Sequence, residues 1–396
     1  MSEASVPVPG PSVIDALSLL SEVAGEVVVK SARDTHFALA DRVGSVARCA
    51  SGGTSTLPDQ IHRGIAGAVY GGLTVGLRAA SVGLDKLAAT GVGPRLEATP
   101  RGRFVSSAVN GLIGDTLLRD RPQMAIPMAV RLGGRDVEPT PEALGSAYPD
   151  AGGRLVVFMH GLCENESYWN FHRDLTGTTY GEALAERGWS PVFLRANTGL
   201  SLRENGVALA ALMQRLVDAW PAPVTRVALV GHSLGGLVIR AAGAVAAEPP
   251  TSGRPWAERI SDVITLGTPH LGAPIAWGIG HGSRGFARLP ETAAFGRLLD
   301  WRSVGVHDLV AGLAHDVPPL PHARYRLVAA TLTESERHLV GHVVGDLLVR
   351  PRSAYGRDKR GGELFPGADV LHVGRADHFG LLNHPVVHAA MRSWLS

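Results

Sequence analysis

An α/β fold is predicted, a mainly parallel central sheet flanked by helices and preceded by a separate helical segment. Three observations predict it: β-rich runs alternate with helical stretches after about residue 120, a glycine-rich turn around one serine joins such a strand to a helix, and the chain before that point reads as helix throughout. The boundary falls near Arg119 to Met124, giving a helical segment over 1–120 and an α/β domain over 121–396.

In the first segment Val13, Leu17, Leu20, Val23 and Val27 recur at helical spacing, and a second pattern runs from Ile61 through Val69, Leu73, Leu77, Leu84 and Leu87. That second helix carries Gly64, Gly67, Gly71, Gly72, Gly76 and Gly83, each costing roughly 1 kcal/mol against alanine. The pairs Gly67 with Gly71 and Gly72 with Gly76 allow close approach of a neighbouring backbone, which predicts tight helix packing. In the α/β domain, strands are predicted at Leu155 to Met159, Val192 to Leu194, Val224 to Val230, Val263 to Leu266, Tyr325 to Ala330 and Val370 to Val373. Helices are predicted at Tyr180 to Arg187, Arg203 to Ala219, Leu234 to Ala247 and Pro385 to Leu395. Between Ala273 and Pro321 the alternation lapses into an excursion rich in glycine, aromatic residues and histidine, expected to form a cap in which Phe295 and Leu299 line an apolar pocket.

The strongest chemical signal is Gly231-His232-Ser233-Leu234-Gly235-Gly236, placed between a predicted strand and a predicted helix. A serine held at such a sharp turn needs small neighbours on both sides, which is why the motif pairs a nucleophile with glycines. The serine hydroxyl also needs a base, and the base an orienting acid, in the chain order Ser, acid, His. His378 sits directly after the last strand and before the last helix and is the expected base, whereas His372 lies within the strand and His384 at the helix start. The expected acid is Asp346, in Gly345-Asp346-Leu347-Leu348-Val349, with Glu334 the alternative. An oxyanion would be held by the backbone N–H of Leu234, next to the nucleophile, and that of Leu162 in the loop after the first predicted strand, where Gly161 frees the turn. Cys163 has no evident base beside it and is expected to pack.

These residues resemble the lipase and esterase branch of the α/β-hydrolases, including lipase-like relatives of inositol deacylases, over about Leu155 to Leu395. The resemblance rests on His160-Gly161, on the serine motif, on Leu266-Gly267-Thr268-Pro269-His270-Leu271-Gly272-Ala273-Pro274, and on Gly345-Asp346 with His378. It implies an α/β-hydrolase fold, a Ser233, Asp346, His378 triad acting through an acyl-enzyme, and a substrate pocket bordered by Pro269 and His270. His160, Gly161 and His232, inside the same motifs, are expected to line that site as well. Leu347 departs from the commoner Gly-Asp-Gly-Leu-Val pattern.

A hydrophobic share of 45%, a charged share of 19% and a net charge of +2, with Lys and Arg dispersed, exclude a disordered chain and a nucleic-acid-binding surface. The two cysteines form no disulfide framework and no zinc spacing, and a reducing compartment fits them. Neither metal nor organic cofactor is implied. A cytoplasmic protein is expected, with peripheral membrane contact through the N-terminal helices as the variant. The expected activity is hydrolysis of a carboxylic ester with an apolar acyl group, a small-molecule ester or lipid. Acyl transfer and thioester hydrolysis would use the same residues, and a non-catalytic binding protein on the same fold is the reading from another class.

Overall fold

The structure is a computed structural model that describes residues 10–29, 33, 36–37, 57–245, 255–273, 303–313, 317–320, 322–336, 338, 345–358 and 360–396. Phe295 and Leu299, with most of the expected cap, lie outside the described residues. Two compact units divide the chain: 1–103 with 277–302, and 104–276 with 303–396.

In the first unit, α1 (Val13–Val23) starts at a capping box, where the Ser12 hydroxyl accepts from the Asp15 N–H and the Asp15 carboxylate accepts from the Ser12 N–H. It packs along α2 (Leu57–Ala88) through Ser18, whose hydroxyl lies 3.1 Å from the Ser81 carbonyl and 3.0 Å from the Ser81 hydroxyl and also donates to Asp85.

The second unit is built on an eight-stranded sheet in the order β2-β1-β4-β3-β5-β6-β7-β8. Its strands are β1 (Ala129–Leu132), β2 (Arg135–Val137), β3 (Arg154–Met159), β4 (Ser190–Arg195), β5 (Arg226–His232), β6 (Ile260–Leu266), β7 (Arg324–Thr331) and β8 (Asp369–Gly374). The helices, after α3 (Pro100–Asp120), are α4 (Pro141–Ala147), α5 (Tyr180–Ala185), α6 (Leu202–Ala219), α7 (Leu234–Val245), α8 (Val304–Ala311), α9 (Pro351–Ala354) and α10 (Pro385–Trp394). All six strands expected from sequence are present and run parallel. The hairpin of β1 and β2 was not anticipated; it pairs antiparallel with β4 through β1 and turns through Gly133 and Gly134, both at positive φ.

Burial on both faces explains why the central strands read as continuous apolar runs. Along β3, Leu155, Val157 and Met159 point into a core shared with Leu209, Leu216 and Leu237 of α6 and α7. Val156 and Phe158 point the other way, into a core with Trp169, Tyr180, Leu184 and Met391.

The boundary between units falls inside α3 rather than near residue 120, because Phe104–Asp120 is tied to the sheet domain. Asn110 is the fastener. Its amide donates to the Ser106 carbonyl at 2.9 Å and to the Met124 carbonyl at 3.0 Å, and its carbonyl accepts from the Ile126 N–H at 2.9 Å. Further along α3, Gly111 is so close to Cys163 that an added Cβ would lie 2.8 Å from the Cys163 backbone nitrogen. Truncation at Asn110 strands buried backbone groups, each worth about 1–3 kcal/mol. Asn110→Ala is therefore expected to lower the stability of the sheet domain by ~2 kcal/mol in chemical denaturation followed by Trp fluorescence. An unchanged midpoint would mean that α3 is not part of that cooperative unit.

Candidate active site

The chain passes from β3 to β4 on one side and then crosses back from β4 to β5 on the other side of β3, so the carboxyl ends of β3 and β5 flank a switch point where ligands bind in open α/β sheets. Ser233 stands at this crevice, at the turn from β5 into α7, with φ +52°. For a residue with a side chain this left-handed backbone costs roughly 1–2 kcal/mol. The turn is held by the Ser233 N–H donating to the Leu266 carbonyl at 2.9 Å and by the Gly236 N–H donating to the Ser233 carbonyl at 3.2 Å. Two glycines of the motif are demanded by crowding: a Cβ at Gly231 would lie 2.6 Å from the Gly236 nitrogen, and one at Gly235 would lie 2.4 Å from the Met159 carbonyl oxygen.

His378 follows β8 after a short turn. Its N–H donates to the Asp346 carbonyl at 3.0 Å, and its Nδ1 lies 2.8 Å from Asp346 Oδ2. The other carboxylate oxygen accepts from the Val349 N–H at 2.7 Å and the Leu348 N–H at 3.0 Å, so three donors fix this buried carboxylate. An ionised carboxylate only accepts, which puts the imidazole proton on Nδ1 and the lone pair on Nε2. That Nε2 is buried and has no hydrogen-bond partner among the described residues. The ring is pressed against Gly267, where a Cβ would lie 3.1 Å from both Cε1 and Nδ1. Leu347 takes φ +84°, a backbone conformation that explains why the commoner pattern has glycine there; its side chain is turned partly to solvent. Glu334 is elsewhere, exposed and paired with Arg375 at 2.7 Å.

The two expected oxyanion donors are available. Neither the Leu162 N–H nor the Leu234 N–H is donated to another group among the described residues, and Leu234 opens α7, where an unpaired N–H faces outward. Gly161 sits against Ser233, for a Cβ there would lie 2.9 Å from Ser233 Cβ. Pro269 is buried at the end of β6, its carbonyl accepting from the Gly272 N–H at 2.9 Å.

Three histidines expected to line the site do other work. His160 is fully buried, with Nδ1 2.9 Å from the Gly161 carbonyl and Nε2 accepting from the Ala196 N–H at 3.1 Å, a pairing that requires the neutral ring. Burial holds its pKa below the usual value, against the pull of the Gly161 carbonyl and Glu164. His270 packs edge-on against Phe365 with centroids 4.6 Å apart, and burial, helped by the charge of Arg240, pushes its pKa down to about 3. It is a core histidine. Cys163 is likewise a packing residue, its thiol pushed up to about 11 by burial and then by Glu164.

His232 reveals a pair that the sequence reading missed. Its Nδ1 lies 3.0 Å from Glu164 Oε2 and its Nε2 3.2 Å from the His378 carbonyl, all of them buried. A carboxylate and a carbonyl can only accept, so both ring nitrogens must donate and His232 is an imidazolium. Glu164 Oε2 also accepts from the Gly161 N–H at 2.7 Å. Burial pushes the His232 pKa down, but the charge and hydrogen bond of Glu164 outweigh it and leave the pKa above the ordinary value. For Glu164 burial pushes up, and His232 with the Gly161 N–H brings the carboxyl below its ordinary range. The pair thus ties the glycine turn before Leu162 to the backbone of His378, directly behind Ser233. Among the described residues no cluster of His, Cys, Asp and Glu is arranged to hold a metal ion.

Residues 150–278 match the family model described as "Putative serine esterase (DUF676)". The matched stretch contains Ser233, His160 to Glu164 and Thr268 to Gly272, and ends before Asp346 and His378. No curated protein sequence matches the chain. Solved structures similar to it include the mature lipase BlEst2 of Bacillus licheniformis, at 21% identity, covering 62% of this chain and 94% of that one with a TM-score of 0.44. The carboxylesterase CesB of Bacillus subtilis is 15% identical, with 74% and 97% covered and a TM-score of 0.39. A naproxen esterase of Bacillus subtilis is 12% identical, with 62% and 84% covered and a TM-score of 0.37. The family match, the sheet order and the serine at its switch point support a serine hydrolase on the α/β-hydrolase fold.

Because the Glu164 pKa is depressed, its stabilisation is present above the unfolded carboxyl value of about 4.3 and is lost as pH falls through the lower folded value. Because the His232 pKa is raised, its stabilisation is complete below the unfolded value of about 6.5 and is lost as pH rises through the higher folded value. Glu164→Ala leaves a buried cation and should cost roughly 3–5 kcal/mol, with the largest deficit between about pH 4.3 and 6.5. Glu164→Gln, whose amide can still accept from Gly161 and donate to a neutral His232, should cost less and flatten this pH dependence. Equal stability of Glu164→Ala and the parent protein across that window would contradict the ion pair.

Proposed function

We propose that this α/β-hydrolase cleaves carboxylic esters with an apolar acyl group, by a two-step reaction through an acyl-enzyme on Ser233. The observation that carries the reading is the buried His378 imidazole, oriented by Asp346 at Nδ1 and with Nε2 unpaired among the described residues, together with Ser233 in a left-handed turn from strand to helix, as a nucleophile elbow requires. Nε2 accepts the Ser233 proton as Oγ attacks the ester carbonyl, and the N–H groups of Leu162 and Leu234 stabilise the oxyanion. His378 then returns the proton to the leaving alcohol. In the second step water gives its proton to His378 and its oxygen to the acyl carbon, releasing the acid and Ser233. In the substrate-free state the Oγ and Nε2 contact of such sites is often loose and tightens only with substrate bound.

The apolar preference has a physical basis in the neighbourhood of the crevice: Leu162, half-buried Tyr168 and Phe379 offer carbon rather than charge, and a water-poor site strengthens the oxyanion contacts. A lipid or a smaller apolar ester would be held in the same way. No cofactor takes part in this scheme.

Ser233→Ala and His378→Ala should each lower turnover of p-nitrophenyl esters by several orders of magnitude with the fold intact, since triad members act as a unit. Asp346→Asn should cost on the order of 10⁴, whereas Glu334→Gln should keep near-normal turnover. A fluorophosphonate probe should label the parent protein and spare Ser233→Ala. Full activity in Ser233→Ala, or loss in Glu334→Gln with retention in Asp346→Asn, would overturn the assignment.

A further inference from the structure

The α1–α2 hairpin has its polarity reversed with respect to a helix pair built for water. The groups that face each other are polar: Ser18 of α1 meets Ser81 and Asp85 of α2. The groups that face outward are apolar. On α1, Val13, Leu17 and Leu20 form one stripe at helical spacing and are 36%, 47% and 63% exposed. On α2, Ile65, Val69, Leu73, Val75, Val82 and Leu87 are all exposed.

At about 100° per residue, Ile65, Val69, Leu73 and Leu87 fall on one flank of α2 and Val75 and Val82 on the other, with Gly72, Gly76 and Gly83 between them. The result is an apolar arc over roughly half the circumference, on the side of α2 opposite Ser81 and Asp85, which meet α1. An added Cβ at any of those three glycines would meet nothing within 4 Å, so none of the described residues fills the arc there. The stretch Ile65–Ala88 is long and apolar enough, by length and composition, to cross a membrane, and among the described residues only 11% of its most apolar window is buried.

Charge decides how such a helix meets lipid. Arg78 is exposed at mid-helix on the side away from the apolar arc, and a charge at the bilayer centre is strongly disfavoured. A helix lying in the interfacial plane avoids this, with the arc among the acyl chains and Arg78 among the headgroups. Basic residues collect at the carboxyl end of α2 and after it: Lys86 and Arg95 are exposed, and Arg101 and Arg103 follow within the same unit, against Asp85 and Glu97. That excess of positive charge complements anionic headgroups.

We infer that the α1–α2 hairpin docks on an anionic lipid bilayer, with α2 lying in the interface. The inference concerns the hairpin alone and holds whether or not Ser233 acts on lipid esters. Full-length protein is floated with vesicles of phosphatidylcholine, with and without phosphatidylserine, at rising salt. The expected result is co-flotation that increases with phosphatidylserine and falls with salt, and that drops at least about tenfold in the double variant Val69→Asp, Leu73→Asp. Circular dichroism and hydrolysis of a soluble short-chain p-nitrophenyl ester keep the inference testable, since the double variant should match the parent protein in both. No flotation with either lipid, or flotation unchanged in the double variant, would overturn it. So would a concentration-dependent dimer that the double variant dissolves without any vesicle binding, because a second copy of the chain would then cover the arc.

Discussion

The close approach of the first turn of α7 to the end of β3 is the constraint on which the rest of the site depends. With Gly235 packed against the Met159 and His160 carbonyls and Gly231 against Gly236, the chain can turn from β5 into α7 only through a left-handed residue. That residue is Ser233. Leu162 and Leu234, whose N–H groups are undonated among the described residues, flank this approach, because one lies in the loop after β3 and the other begins α7. The backbone strain at the serine is sustained by packing that would be lost if either glycine gained a side chain.

The ion pair of Glu164 and His232 extends this arrangement to the base. A fully buried pair is weak evidence for net stability, since desolvation offsets most of the attraction. Its value lies in what else its atoms hold: the Gly161 N–H at one end and the His378 carbonyl at the other. With Asp346 accepting from the ring and from two backbone N–H groups, both ends of the His378 residue are pinned, backbone by His232 and imidazole by Asp346. Preorganisation of this kind lets a proton move without rearranging the groups around it.

The central sheet was legible in sequence because strands buried on both faces leave uninterrupted apolar runs, as in Leu155 to Met159. Ser233 stood out in sequence because it follows such a strand, and His378 because it lies between the last strand, a largely exposed edge strand, and the last helix. The edge hairpin was not, since β1 and β2 are short and carry Arg131 and Asp136; Gly133-Gly134 between two β runs was the available signal. His160 and His270 are held by buried partners, Ala196 and Phe365, because motif position reports nearness along the chain, not the direction of a side chain. His232 precedes Ser233 at the end of β5 and is buried, its ring 4.8 Å from that of His378 and its Nδ1 on Glu164. Nothing local marked Glu164 as its partner, because 68 residues separate them. The extent of α3 in the sheet domain depended on Asn110 reaching Met124 and Ile126, a contact no helical periodicity reports.

The central claim is that Ser233 becomes acylated. Rapid mixing with a p-nitrophenyl ester of an apolar acid, acid quench and peptide mass mapping measure it directly. The account predicts a burst of p-nitrophenol and an acyl adduct on the peptide bearing Ser233. Turnover without any adduct, or an adduct confined to the peptide bearing Cys163, would contradict it.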